Sequence, residues 1–288
     1  MNSVWKSTAV TLEMIKWEHS IFALPFALTA AVLAAGAWPS LTVLCWIVVC
    51  MVAARSAAMA FNRLVDAKLD AANPRTAMRA IPAGTLTSGF VGGFVLVSVA
   101  VFVFGAAMLN RLTLFLSPIA LGIVLVYSYM KRVTRWSHLV LGLALGIAPS
   151  AAWIAVRGSL DPRIVVLTLA VLLWVGGFDV LYACQDFEHD RKVGLNSVPQ
   201  AFGLDTAFWI ARAMHLGMLA MLCWLVVLFG LGKIAMVGIA VVALLLLYEH
   251  SIISPRDLRR MNAAFFTLNG VISIVFFGFV AADVLLRR

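Results

Sequence analysis

Charge is what this sequence has least of. Only 12% of its 288 residues are Asp, Glu, Lys or Arg, and 63% are apolar, where a soluble domain carries about a quarter charged and half apolar. That deficit excludes a freely soluble globular chain and implies an integral membrane protein. At about 20 apolar residues per crossing, the length allows roughly nine spans and no separate soluble domain. Cysteine is also scarce. Cys45, Cys50, Cys184 and Cys223 lie in or beside apolar stretches with no CxxC pair, so they read as small buried hydrophobes and neither a disulfide framework nor a zinc site. No two histidines have the spacing of a zinc site or a haem-binding redox subunit. Acidic residues are outnumbered, 13 against 22 basic, for a net charge of +9. In a membrane protein that excess points to anionic lipid headgroups or a phosphorylated substrate, and not to nucleic acid.

Apolar runs place spans near 21–38, 41–61, 88–109, 112–130, 138–156, 163–185, 207–230, 234–250 and 263–285. The first run ends in small residues, as a signal peptide does. Glu13 and Glu18 interrupt the basic flank that a signal peptide needs, so an uncleaved first helix is expected. Two strongly polar interruptions, Asn62 to Thr87 and Asp186 to Asp205, each follow an even-numbered span. Basic residues concentrate on the N-terminal segment and in the loops after even-numbered spans. The positive-inside rule therefore puts both interruptions in the cytoplasm, and the expected location is a bacterial-type inner membrane with the chemistry on its cytoplasmic face.

The first interruption continues the second apolar run without a helix breaker. At about 100° per residue, Arg55, Asn62, Asp66 and Asp70 fall on one helix face. A water-facing helix end would explain Asp70 alone. It does not explain Arg55, about four turns into an apolar helix, where an isolated charge costs roughly 2.5–3.5 kcal/mol on insertion scales. Arg55 needs an anionic partner. The second interruption puts Asp179, Tyr182, Asp186 and Asp190 on one stripe, with Glu188 on the far side. The four-residue spacing of Asp66 and Asp70 recurs in Asp186 and Asp190.

Carboxylates at i and i+4 on two facing helices can each lend an oxygen to Mg²⁺ and leave positions open for phosphate. Basic residues accompany them on the same face: Arg75, Arg79, Lys131, Arg132, Arg191 and Lys192. A proton pathway would use the acids but not these cations. Together they point to a magnesium-bridged diphosphate.

These motifs resemble those of the UbiA superfamily of intramembrane aromatic prenyltransferases. Asn62-Arg-Leu-Val-Asp66-Ala-Lys-Leu-Asp70 is similar to its first motif, and Asp186-Phe-Glu-His-Asp190, preceded by Asp179 and Tyr182, to its second. Asn73-Pro-Arg75-Thr76 with Arg79 and Pro82, Tyr127-Ser-Tyr-Met-Lys131-Arg132, and Gly194-Leu-Asn-Ser-Val-Pro199 match further family segments in order. One departure is Arg63, where the family usually has Asp, which leaves the number of bound magnesium ions open. Trp17-Glu18-His19 and the stretch from Arg132 through His138 to Gly142 resemble the 4-hydroxybenzoate polyprenyltransferase branch, including relatives serving menaquinone synthesis.

The resemblance implies an all-α membrane protein, nine transmembrane helices around a central cavity opening to the cytoplasmic side, forming a single integral-membrane domain over residues 1–288. It implies magnesium-dependent transfer of a polyprenyl group from polyprenyl diphosphate to a hydroxylated aromatic carboxylic acid in quinone biosynthesis. The expected acceptor is 4-hydroxybenzoate, with a dihydroxynaphthoate of menaquinone synthesis as the alternative. Asn62, Asp66, Asp70, Asp186 and Asp190 would hold the metal. Lys131, Arg132, Arg75, Arg79, Arg191, Lys192 and Tyr127 would bind diphosphate, and Arg55 with Tyr182 the aromatic acid. Either Asp179 or Asp190 would take the ring proton. Relatives that prenylate haem, chlorophyllide or glycerol phosphate stay open. From another class, a secondary transporter also places Arg and Asp in membranes, though near the midplane on broken helices.

Overall fold

The structure is a computed structural model that describes residues 10–15, 22–261 and 267–287. Its helices are α1 (Leu24–Ala35), α2 (Leu41–Ala72), α3 (Ser88–Leu109), α4 (Arg111–Val133), α5 (Ser137–Arg157), α6 (Val165–Ala183), α7 (Phe187–Val193), α8 (Val198–Phe202), α9 (Leu204–Leu228), α10 (Lys233–Ile252) and α11 (Asn269–Leu286). There is no β-strand among the described residues. Eight helical runs there are long and apolar enough to cross a membrane, and the architecture is the expected all-α one. The run expected at 21–38 yields α1, whose 12 described residues rise roughly 18 Å, short of the bilayer core. Trp17, Glu18 and His19 lie outside the described residues.

Two runs exceed what a membrane needs. α2 has 32 residues, and so does the run from Pro162 through α6 to the end of α7; each extends roughly 48 Å against a hydrocarbon thickness of about 30 Å. The surplus lies at their C-terminal ends and carries the two acidic motifs. α2 starts at Ser40, whose hydroxyl accepts from the Val43 N–H at 3.4 Å, and ends at Asn73, whose N–H donates to the Asp70 carbonyl. The second run is not one uniform helix as its spacing suggested. α6 stops at Ala183, a 3₁₀ turn follows over Cys184–Asp186, and α7 resumes at Phe187. The turn winds more tightly than an α-helix, which rotates Asp190 relative to Asp179 without removing either from the same cavity wall.

Packing centres on α6, whose Trp174, Val171 and Leu167 are fully buried. The Phe26 ring of α1 lies 5.0 Å from that of Trp174 and 5.4 Å from that of Phe276 on α11. Lipid gives no hydrophobic drive between helices, so close approach by small residues has to supply it. Gly142 and Gly146 of α5 do so against α6: a Cβ at Gly142 would overlap the Leu172 carbonyl, and one at Gly146 would come within 2.8 Å of the Thr168 oxygen. Buried polar contacts finish the bundle. Trp174 Nε1–H donates to Asn269 Oδ1 at 2.8 Å, and Asp283 accepts from the N–H groups of Gly232 and Ala235 at the start of α10, where a helix favours a carboxylate.

Gly142→Leu should lower the thermal midpoint of the detergent-solubilised protein, at a cost of about 1–3 kcal/mol for overpacking, whereas Gly122→Leu, with nothing near its Cβ position, should not. Equal midpoints would show that the α5–α6 approach does not limit stability.

Candidate functional site

Between α2, α4, α5 and α6 lies a cavity of about 1090 Å³. One part is apolar and built of small or flexible side chains such as Cys50, Met51, Ala120, Leu116 and Ala148. The other is polar and lined by Asn62, Arg63, Arg75, Arg79, Lys131, Asp179, Tyr182, Asp186 and Asp190. The second over-long run delivers Asp179, Tyr182, Asp186 and Asp190 to this lining; the first delivers Arg55, Asn62 and Arg63, while its buried acids Asp66 and Asp70 lie behind the lining and Arg132 of α4 lies outside it.

The acids of the first motif stand behind cations. Asp66, 1% exposed, accepts from Asn62 Nδ2 at 3.1 Å and pairs with Lys131 Nζ at 3.2 Å and Arg132 Nη2 at 2.9 Å. Arg132 also donates to the Val65 carbonyl at 2.7 Å, which fastens the end of α4 to α2. Asp70 Oδ1 accepts from Arg79 Nη1 at 2.6 Å, and its buried Oδ2 has no hydrogen-bond partner among the described residues. A carboxylate at this depth needs such pairing, because burying an unpaired one costs far more than the pair.

The second motif meets the segment that follows the first. Asp186 Oδ1 accepts from Arg75 Nε at 2.8 Å and Asn73 Nδ2 at 3.2 Å, and Arg75 Nη2 closes a bidentate fork on Oδ2. Arg75 Nη1 donates to the Tyr182 hydroxyl at 3.3 Å. Burial works against the charge of Arg75, but its bonds to Asp186 outweigh that and raise its pKa above the ordinary guanidinium value. Asp190 accepts from Ser197. Gly194, in the left-handed region at φ 75°, ends α7 and turns the chain so that the Asn196 N–H donates to the Lys131 carbonyl at 2.8 Å. α2, α4 and the α6–α7 run are thereby tied together at the polar end.

Most residues singled out from sequence come together here, though not all. Arg55 lies on the cavity wall with its Nε buried and unpartnered among the described residues. Arg63 and Tyr127 line the same wall. Glu188 is exposed, as its helical phase requires. Arg191 and Lys192 are exposed on α7 and outside the lining. The contacts not legible in the sequence include Asn73 on Asp186, His138 Nδ1 at 2.7 Å from Asp179 Oδ2, and the Val198 N–H on His138 Nε2. The sequence signals for His138 are its place in the first turn of a mostly apolar helix and its membership of the Arg132–Gly142 stretch that resembles the 4-hydroxybenzoate branch.

The oxygen donors of the two motifs are hard ligands of the kind magnesium takes. Among the described residues no three or more His, Cys, Asp or Glu side chains are grouped closely enough to hold a metal ion between them. Magnesium does not ask for one, since it is commonly held by one or two carboxylates with the remaining positions given to phosphate and water. With the spare Oδ2 of Asp70, the residues present fit that ion.

Comparison with known proteins gives the family and the fold. A family model described as the UbiA prenyltransferase family matches residues 23–271. A 4-hydroxybenzoate octaprenyltransferase of Vibrio cholerae serotype O1 is 35% identical over 248 residues, covering 85% of this chain and 86% of that one. One from Tolumonas auensis is 33% identical over 228 residues, covering 79% of each. Among solved structures, the apo form of a UbiA homologue from Aeropyrum pernix superposes with a TM-score of 0.84 at 33% identity, covering 93% of this chain and 98% of that one. A UbiA homologue from Archaeoglobus fulgidus bound to DMAPP and Mg²⁺ gives 0.72 at 20% identity, covering 95% and 98%, a likeness of fold.

The Arg75–Asp186 fork should hold the segment between α2 and α3. A half-exposed pair of this kind is worth up to about 1 kcal/mol, so Arg75→Ala should speed tryptic cleavage after Arg79 by a factor of about five. Unchanged cleavage would show that the fork does not restrain that segment.

Proposed function

The chain belongs to the UbiA prenyltransferase family, an intramembrane aromatic prenyltransferase by that membership, and from this premise we propose its substrates and the roles of its residues. It transfers a polyprenyl group from polyprenyl diphosphate to 4-hydroxybenzoate at the cytoplasmic face of the membrane. The observation that carries this reading is the two-part cavity. An acid- and base-lined end is continuous with an apolar end, and a half-buried cationic side chain, Arg55, with its Nε shielded, lines it.

Asp66, Asp70, Asp186 and Asp190, with Asn62, would hold Mg²⁺ against the diphosphate. When bound, the ion neutralises charge as the diphosphate leaves. The chain's own cations do the rest. Lys131, Arg132, Arg79 and Arg75 now lie on carboxylates. Phosphate oxygens would draw them across, so binding exchanges carboxylate partners for phosphate ones without leaving a charge unpaired. Tyr127 and Arg63 stand on the same wall; Arg63 would face the diphosphate and not the metal. Arg191 and Lys192, exposed on α7, would act on an approaching anion and not on a bound one.

Departure of the diphosphate with the C–O bonding pair leaves an allylic cation, which apolar and aromatic walls keep from water. Arg55 would grip the carboxylate of the acceptor and present the carbon beside its hydroxyl. Its pairing with that anion supplies the partner that its place in an apolar helix demands. The prenyl tail would occupy the apolar part and leave between helices into lipid. A second reading, the same transfer to a dihydroxynaphthoate, is supported by the cavity's size. At about 1090 Å³ it exceeds an ordinary small-molecule pocket of about 300–1,000 Å³ and would admit two fused rings.

Asp66→Ala and Asp186→Ala should each abolish magnesium-dependent transfer from geranyl diphosphate in membranes while the protein stays at its normal level. Retained activity would remove the metal-site assignment. Arg55→Ala should raise the KM for the acceptor by roughly tenfold to a hundredfold, the worth of a charge-assisted pair, and leave that for geranyl diphosphate nearly unchanged. An equal rise in both would mean that Arg55 does not bind the ring acid. Running the assay with each acid and identifying the product by mass distinguishes the two acceptors.

A further inference from the structure

We propose that His138 is a positioning residue, locked in one tautomer by a backbone amide, that holds Asp179 to take the proton from the prenylated ring carbon. The inference rests on the reading that this cavity prenylates an aromatic ring.

His138 is in the first turn of α5 and 3% exposed. Its two ring nitrogens have different partners. The Val198 N–H donates to Nε2 at 3.2 Å, and Nδ1 lies 2.7 Å from Asp179 Oδ2. A backbone amide can only donate, so Nε2 is an acceptor and bears no proton. An imidazole keeps at least one proton, so it sits on Nδ1 and is donated to Asp179. His138 is therefore neutral and its orientation is fixed from both sides. Val198 opens α8, the short helix directly after the second motif, so the segment that shapes the motif also sets the tautomer.

Asp179 and Asp190 differ from the other motif acids in what holds them, and their places in the fold separate the two. Asp66, Asp70 and Asp186 are each engaged by Lys or Arg, and a cation competes with an incoming proton for the same oxygens. Asp190 lies beyond the 3₁₀ turn and accepts from Ser197. Among the described residues Asp179 has His138 as a neutral donor, on Oδ2. Its side chain is 18% exposed and lines the cavity. It stands on α6 two turns before Asp186, toward the apolar part, where the ring and not the diphosphate would lie.

The step balances without another reactant. The ring carbon beside the hydroxyl bonds to the allylic cation and becomes tetrahedral, still carrying its hydrogen, so the ring holds the positive charge. Asp179 Oδ1 takes that proton, the C–H electron pair restores the aromatic ring, and Asp179 passes the proton to water. His138 transfers nothing. Its Nδ1–H keeps the carboxylate from turning away, as an outer partner orients an active group.

The test uses full-length protein with Mg²⁺, geranyl diphosphate and 4-hydroxybenzoate carrying hydrogen or deuterium at both carbons beside its hydroxyl. His138→Ala should lower kcat by roughly tenfold to a hundredfold while both KM values stay within about twofold, since a displaced base slows proton removal and not binding. A primary deuterium effect on kcat should appear in this variant and be absent in the unaltered protein. His138→Asn, whose amide nitrogen falls near the place of Nδ1, should recover most of the loss. His138→Gln, whose amide reaches the place of Nε2, should not. A merely structural role would be served alike by both amides and would produce no isotope effect, and either outcome overturns the proposal. If unaltered protein leaves 4-hydroxybenzoate untouched, the acceptor assignment has failed, and the dyad is judged by ¹⁵N-histidine NMR. The signal lost in His138→Asn should carry its proton on Nδ1 and shift in Asp179→Asn; a proton on Nε2, or no shift, overturns it.

Discussion

A carboxylate at the edge of a membrane has to be neutralised by something, and that requirement organises this molecule. Asp66 is met by Lys131 and Arg132 from the end of α4, Asp70 by Arg79 from the segment after α2, and Asp186 by Arg75 from that same segment. None of these partners sits one turn away on its own helix, where pairing would be local. Each pair joins different parts of the chain, so satisfying the acids also fastens α2 to α4 and the end of α2 to the α6–α7 run. The polar end of the cavity is a structural knot first. In the proposed function its electrostatics would serve a ligand, each anion and cation exchanging one partner for another.

Helix length makes this possible. Had α2 stopped where its apolar run stops, near residue 61, Asp66 and Asp70 would fall in a loop and share no face. Continuation to Ala72 carries the face that begins at Arg55 out of the hydrocarbon without changing its direction. The α6–α7 run reaches as far but breaks at Cys184–Asp186. That break gives its two acids different partners, Arg75 for Asp186 and Ser197 for Asp190.

Much of this was legible in the sequence because helical phase is arithmetic. Arg55, Asn62, Asp66 and Asp70 share a face in any regular helix, and no Pro or Gly interrupts the stretch. The apolar runs marked the spans because unpaired backbone has no place in lipid. What could not be read was anything fixed by a partner far along the chain. Asn73 reaches Asp186 across 113 residues, and Val198 reaches His138 across 60; no local pattern reports either. The 3₁₀ turn was hidden for a related reason, since Cys184-Gln-Asp186 has no breaker residue. Arg191 and Lys192 follow Asp190 directly in sequence, yet they occupy the exposed face of a short helix, where two adjacent basic residues cost least.

The placement of the His138–Asp179 pair bears on why the acids divide the work. A carboxylate that stabilises a diphosphate site must live among cations, because the ligand brings negative charge and the site has to hold both. A carboxylate that accepts a proton from a ring is better served by a neutral neighbour, which orients it without competing for its oxygens. Asp186 and Asp179 lie seven residues apart on one helical run and meet these two demands through an arginine fork and an imidazole N–H respectively. In the proposed reaction the diphosphate would stay with the cations around Asp186 while the ring proton would pass to Asp179. That separation follows from the axial rise of the α6–α7 run, roughly 10 Å over seven residues, about the span between a diphosphate and a ring joined through an allylic carbon.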